Sequence, residues 1–243
     1  MPEKRSALIV GAGDATGGAI ARRFAREGYA TVVTRRELPS LDGLLAQIRA
    51  YGGEAHGFGT DARDEDQTIQ LFEAIERDIA PLEVVVFNIG ANVNFPIRET
   101  TSRVYRKVWE MAAFAGFLAG REAARAMVPR AKGTIIFTGA TASIRGGSGF
   151  SAFSGAKFAL RSLAQSMARE LGPEGIHVAH TIIDGAIDTE WIAKNFPARY
   201  ALKEQGGILN PEHIADAYWM LHAQPRDAWT HELDLRPWME KMA

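Results

Sequence analysis

The residues of this chain that could do chemistry are Lys157, a glycine-rich turn at 11–18, two adjacent arginines and several aspartates. The turn reads Gly11-Ala12-Gly13-Asp14-Ala15-Thr16-Gly17-Gly18 and follows a short apolar run at 7–10. Glycines at such a point let the backbone bend sharply and bring amide N–H groups against a pyrophosphate at a helix amino terminus. The second apolar run ends Val32-Val33-Thr34-Arg35-Arg36. In dinucleotide folds an acidic residue there binds the adenosine ribose hydroxyls, whereas arginine accommodates a 2′-phosphate. Arg35 and Arg36, with no carboxylate at that position, favour NADP(H) over NAD(H) through charge-assisted contacts. A solvated basic pair at a strand end is the plain alternative. Asp184 and Asp188 follow a late strand, where a desolvated carboxyl would have a raised pKa and serve as an acid. The plain alternative for Asp184 is a hydrogen-bonded turn carboxylate. His180, on the same strand, reads as a packed histidine. The absence of cysteine removes thiolate catalysis and disulfides, and the six histidines lack metal-ligand spacing, so no metal is expected.

Alternating elements must position these groups. Apolar runs at 7–10, 30–33, 55–59, 82–87, 134–137, 176–183 and 232–235 read as strands. Helical patterns at 17–27, 38–50, 64–78, 102–127, 151–171 and 211–221 separate them. Unbroken hydrophobicity, as in Leu82 to Phe87, suits strands buried on both faces. The rhythm predicts a mainly parallel, doubly wound seven-stranded sheet with helices on both faces and right-handed crossovers. No linker or repeat interrupts it, so 1–243 is expected to be a single dinucleotide-binding domain. The least regular stretch, 189–209, lies beyond the carboxyl end of a late strand, where open α/β sheets place their ligands. It reads as a lid over a substrate cleft, or else as a packed surface excursion.

Composition narrows the class of protein. A chain of 243 residues, 47% hydrophobic, is long enough to bury a sizeable core. Its 28 basic and 29 acidic residues nearly cancel, so no field favours nucleic acid or an anionic membrane. The amino terminus leads into a strand-like run too short for a signal peptide, and no apolar stretch reaches bilayer length. A soluble cytoplasmic protein is expected.

The glycine turn, the Arg35 and Arg36 strand end, and the segment from Gly133 through Glu170 together resemble the short-chain dehydrogenase/reductase family over nearly the whole chain. The family's turn motif is Thr-Gly-x-x-x-Gly-x-Gly. Gly11 and Gly17 match its first and last glycines, Val10 stands for the threonine and Ala15 for the middle glycine. The resemblance implies a Rossmann-type fold. It also implies that Asp61, in Thr60-Asp61-Ala62, contacts the adenine amino group and that Asn88 shapes the turn beside the cofactor. In Asp184-Gly185-Ala186-Ile187-Asp188-Thr189, matching Pro-Gly-x-x-x-Thr, it implies that Ile187 offers its backbone and Thr189 its hydroxyl to the nicotinamide carboxamide.

Carbonyl reduction in this family uses asparagine, serine, tyrosine and lysine. Carried onto this chain, those positions are Ala113, Ala140, Phe153 and Lys157, so only the lysine remains. A positioned general acid contributes ~10²–10⁴ in rate, and an oxyanion donor about 3 kcal/mol. Ordinary ketone reduction by the family mechanism is therefore not expected, while ribose binding through Lys157 is. Thr141, Ser143 and Ser151 lie near the vacated positions, but such hydroxyls are poor acids without an organised partner. Tyr105 and Tyr200 are more distant candidates, and Asn92 and Asn94 would line the cleft or shape their loop.

Two functions follow from these residues. One is an NADP(H)-dependent oxidoreductase acting on a small molecule that needs no tyrosine acid, such as an activated alkene or an imine-like carbon. The other is a non-catalytic NADP(H)-binding or regulatory protein. The resemblance further implies a homodimer or homotetramer through helices 102–127 and 151–171. The first carries Val104, Val108, Ala112, Ala115 and Ala119 at helical spacing, with Gly116 and Gly120 permitting close approach. A sheet-facing stripe would read the same way. Trp238 and Met239 are expected to dock on a neighbouring subunit or to close the cleft.

Overall fold

Seven parallel strands form one sheet in the computed structural model, which describes residues 4–241. They are β1 (Ser6–Val10), β2 (Ala30–Arg35), β3 (Ala55–Gly59), β4 (Leu82–Phe87), β5 (Gly133–Thr138), β6 (Ile176–Ile183) and β7 (Glu232–Leu235), in the order β3-β2-β1-β4-β5-β6-β7. The order reverses between β1 and β4, and in doubly wound sheets that switch opens a crevice at the carboxyl ends of the strands. Every strand pairing is parallel, so "mainly parallel" understates the sheet.

The two-residue period of a strand explains the layers. Ala7 and Ile9 of β1 face one core with Ile20 and Phe24 of α1 (Thr16–Arg26), Ile48 of α2 (Asp42–Ala50) and Tyr218 of the last helix. Leu8 and Val10 face the other, with Ile75 of α3 (Glu65–Asp78) and with two long helical segments. Strands covered on both sides have no polar alternation, which is why their runs read as unbroken hydrophobicity.

The segment 102–127 is not one regular helix. It comprises α4 (Ser102–Trp109), a π-turn at Glu110–Phe114, and α5 (Ala115–Met127). A single π-turn leaves apolar spacing almost unchanged, so the sequence pattern does not reveal it. The small-residue stripe turns inward. A Cβ on Gly116 would lie 2.5 Å from Leu160 Cδ1, and one on Gly120 would lie 2.9 Å from Met167 Sδ. Both partners belong to α6 (Ser151–Leu171) of the same chain. Val108, Ala112, Ala115 and Ala119 are likewise buried in this chain's own cores. The stripe is thus the sheet- and α6-facing surface, the second of the two readings that its spacing allows.

The irregular segment after β6 folds as α7 (Glu190–Asn195), α8 (Pro197–Tyr200) and a short 3-10 turn at Ala201–Gln205. It returns through a bridge between Ile187 and Leu209, then enters α9 (Pro211–His222). No helix among the described residues is long and apolar enough to cross a membrane.

Two buried histidines set an acid limit on this fold. His222 lies 2.5 Å from the Tyr29 hydroxyl and 2.9 Å from Thr134 Oγ1. His180 Nδ1 lies 3.1 Å from Glu232 Oε2. Desolvation pulls both imidazoles down to about 4, against the attraction of Glu83 on His222 and of Glu232 on His180. Arg5, His177 and Lys132 around the first, and Lys157 and Arg161 around the second, push in the same direction as burial. In the unfolded chain a histidine titrates near ~6.5. Between that value and about 4 the unfolded chain binds more protons, so stability is full above the window and falls as pH drops through it. Urea unfolding at a series of pH values is expected to show a loss on the order of a few kcal/mol from pH ~6.5 to ~4. A flat profile across that range would contradict the burial of neutral imidazoles.

Candidate active site

A cleft of about 1800 Å³ opens at the carboxyl ends of β1, β2, β4, β5 and β6. Its floor begins at the glycine turn. Gly11 adopts φ +84°, and a Cβ there would lie 2.9 Å from Ile89 Cγ1. A Cβ on Gly17 would lie 2.7 Å from both the Ala12 Cα and the Gly11 carbonyl oxygen. Only glycine fits either position. Asn88 donates from Nδ2 to the Gly11 carbonyl at 3.2 Å, which ties the end of β4 to the turn. Helix α1 starts without a side-chain cap, and although Gly18 N–H donates to the Gly13 carbonyl at 2.7 Å, the Thr16 and Gly17 N–H groups remain for an anion. Gly13 has open space around it, and Ala15 lines the cleft without closing it.

Arg35 and Arg36 border the same cleft. Arg35 donates to the Ser40 carbonyl at 3.2 Å and lies 3.5 Å from Asp14 Oδ1, while Arg36 is exposed. Asp61 and Ala62 line the cleft as expected, but the Asp61 carboxylate is already engaged. Arg63 donates to it from Nε at 2.9 Å and from Nη2 at 2.5 Å, and this partner holds the Asp61 pKa below the usual carboxylate range.

Lys157 is 2% exposed, and its ammonium donates to the Thr138 carbonyl at 2.8 Å and the Ile89 carbonyl at 3.2 Å. These acceptors end β5 and follow β4, so the sheet itself aims the lysine. Burial pushes its pKa down to about 8. Phe153, one helical turn earlier on α6, lines the cleft from an apolar nest that includes Ala91, Val108, Ala142 and Ala156. Ala140 also lines the cleft, with its N–H donating to Ser143 Oγ at 3.1 Å. Ala113 is buried in the π-turn and does not reach the cleft; Met111 of the same turn does. An alanine has no atoms to span that distance.

Asp184 is 1% exposed and accepts a hydrogen bond from Thr141 Oγ1 at 2.5 Å. Its other oxygen lies 3.7 Å from Arg236 Nη1. A donor hydroxyl and a guanidinium are the surroundings of an acceptor, so the structure does not support the expectation that Asp184 replaces the missing acid. Gly185 adopts φ +149° against Pro237, and Gly185, Ile187 and Thr189 all line the cleft. Thr189 caps α7 by accepting from Ile192 N–H at 3.1 Å, which leaves its own hydroxyl hydrogen for another partner. Asp188 pairs with Lys203 at 2.9 Å. His180 is fully buried, in agreement with its packing role.

Trp191, Phe196 and Tyr200 of the segment after β6 border the cleft. Trp238 donates to the Gln205 carbonyl at 3.0 Å, Met239 packs on Gly207, and Glu240 pairs with Arg199. The tail thus docks on the 199–207 segment of its own chain, although the Trp238 ring stays exposed. Sequence reasoning missed Arg63, Arg236 and Glu240. No local signal marks the last two, because they arrive from the carboxyl-terminal strand and tail.

The cradle and the buried ammonium fit a nicotinamide dinucleotide: glycines where any Cβ would collide, an uncapped helix start, and Lys157 held only by carbonyls. Among the described residues no cluster of histidine and carboxylate groups could hold a metal.

Comparison with known proteins agrees with this geometry. The short chain dehydrogenase family model matches residues 5–199. The crystal structure of a short-chain dehydrogenase from Rhodopseudomonas palustris is 49% identical, with a TM-score of 0.84 over 98% of this chain and 100% of that one. Gluconate 5-dehydrogenase from Gluconobacter oxydans is 27% identical over 204 residues, covering 79% of this chain and 80% of its own length. A metagenomic short-chain oxidoreductase in complex with NADP, 22% identical, has a TM-score of 0.79 over 97% of this chain and 98% of its own.

Proposed function

Because this chain belongs to the short-chain dehydrogenase family, we propose that it is an NADP(H)-dependent oxidoreductase that works without a side-chain acid. Bound NADP(H) would supply or accept a hydride. The observation that carries the reading is the contrast between Lys157, kept buried and aimed by two carbonyls, and Phe153, which lines the same cleft without a hydroxyl. The glycine cradle and the amino terminus of α1 would hold the pyrophosphate. Arg35 and Arg36 would hold the 2′-phosphate, in keeping with a neighbour of the same fold that binds NADP. Lys157 would hold the nicotinamide ribose, and Ile187 and Thr189 the carboxamide.

Hydride acceptors that need no strong acid fit the remaining wall, namely activated alkenes and imine-like carbons. Segment 189–209 would act as a lid that excludes water. Turnover of NADPH across a panel of enones, imines and matched ketones tests the reading. Oxidation with an enone or an imine, and little with ketones, supports it. NADPH binding without turnover of any compound would favour a non-catalytic NADP(H)-binding protein, for which the losses at Ala113, Ala140 and Phe153 speak.

We also propose that the protein works in the cytoplasm as a homodimer or homotetramer through the outer faces of α4 to α6. Tyr105, Trp109, Phe117 and Phe158 are each at least 40% exposed on these helices, and large exposed aromatics of this kind mark interaction surfaces.

A further inference from the structure

We propose that the Thr141–Asp184 pair selects a cationic nitrogen substrate, a protonated imine in the reductive direction or the corresponding amine in the oxidative one. The inference rests on the NADP(H) reading and names the substrate class of that same site.

Thr141 and Asp184 come from different strand ends, after β5 and β6, and both border the cleft beside Ala140, Phe153 and Lys157. The Thr141 hydrogen is given to Asp184 Oδ1 at 2.5 Å. A hydroxyl has one hydrogen and two lone pairs, so what Thr141 presents to the cleft is acceptor only. The other former donor positions on that wall, Ala140 and Phe153, carry no polar hydrogen on their side chains. Lys157 gives two of its three ammonium hydrogens to carbonyls, and the third is the one assigned to the nicotinamide ribose. Of the cleft's other donors, Arg145 and Asn92 are exposed, Thr189 is the one given to the carboxamide, and the Tyr200 hydroxyl belongs to the segment after β6. A ketone oxygen, itself only an acceptor, would face lone pairs and an aromatic ring.

A protonated imine suits every one of these features. Its N–H donates to Thr141, its positive charge sits near the carboxylate of Asp184, and its planar cation lies well against an aromatic face. Arg236, 3.7 Å from the far oxygen of Asp184, anchors that carboxylate from the side away from Thr141. The redox step closes without an acid. The imine carbon gains the hydride of NADPH, the C=N π electrons become the nitrogen lone pair, and a neutral amine and NADP⁺ remain. A ketone under the same attack yields an alkoxide, whose proton this wall does not provide.

The test is calorimetric and does not depend on turnover. Protein saturated with NADP⁺, as judged by its own titration, is titrated with 2-arylpyrrolidines and with 2-aryltetrahydrofurans of matched skeleton at neutral pH. The amine is expected to bind at least ~10-fold more tightly than the ether, the range of a hydrogen bond to a charged group. Thr141→Val should remove that preference and Thr141→Ser restore it, with thermal unfolding verifying that each variant is folded. Asp184→Asn removes the negative charge beside Thr141, and should lower the preference for the amine by a comparable factor. Equal binding of amine and ether by the wild-type protein would overturn the inference, as would a preference that survives Thr141→Val. Failure of NADP⁺ itself to bind would overturn both this inference and the reading on which it rests.

Discussion

Installing Asn, Ser and Tyr together, as Ala113→Asn, Ala140→Ser and Phe153→Tyr, is expected to create ketone reductase activity about 10²–10⁴-fold above the parent protein. The Phe153 ring already borders the cleft and sits one helical turn before Lys157. A phenol oxygen there would lie near a buried ammonium, which favours phenolate and lowers the phenol pKa toward working range. A serine hydroxyl at position 140 would add a donor for the developing alkoxide, worth about 3 kcal/mol where such donors have been removed. Position 113 is the weakest of the three, because it is buried in the π-turn and only a longer side chain would reach the cleft. The assay is NADPH oxidation with a panel of small ketones, comparing Phe153→Tyr alone with the triple variant. A folded, NADPH-binding triple variant with no ketone turnover would mean that the substrate pocket has diverged beyond these positions.

Replacing Lys157 by Met should weaken NADPH binding by at least ~10-fold, the range of the one hydrogen bond to a charged group that would be lost. The same ammonium predicts a pH dependence. Burial lowers its pKa to about 8, so in the free protein the charged, binding-competent form declines as pH rises through that value. NADPH affinity is expected to be level between pH 6.5 and 7.5 and to fall above about 8, and the Met variant should lack that fall. Unchanged affinity in Lys157→Met, with the fold intact by thermal unfolding, would remove the lysine from the cofactor site.

Much of this arrangement is legible in the sequence wherever one segment carries the whole signal. The glycine turn needs only a strand before it and a helix after it, and Gly11 and Gly17 do occupy positions that no side chain could share. Lys157 and Phe153 sit four apart on one helix, so their relation survives any error in the ends of the elements. Groups that meet across the fold were less visible. Asp184 read as a possible acid because its partners, Thr141 and Arg236, are 43 and 52 residues away in the chain. Asp61 read as free to meet an adenine, yet Arg63, two residues on, folds back onto it. The stripe on α4 and α5 was ambiguous in principle, because a helix face buried on its own sheet and one buried on a partner demand the same apolar spacing. Contact with Leu160 and Met167 resolves it.

Selective NADP(H) binding is the property on which every role proposed for this cleft depends. Calorimetric titration of the wild-type protein with NADPH and with NADH, repeated on the Arg35→Ala/Arg36→Ala variant, tests that most directly. We expect micromolar NADPH binding, about −8 kcal/mol, with NADH at least ~10-fold weaker and the difference erased in the variant. Equal affinity for the two nucleotides in the wild-type protein would contradict the role given to the arginines, and no binding of either would contradict the oxidoreductase reading itself.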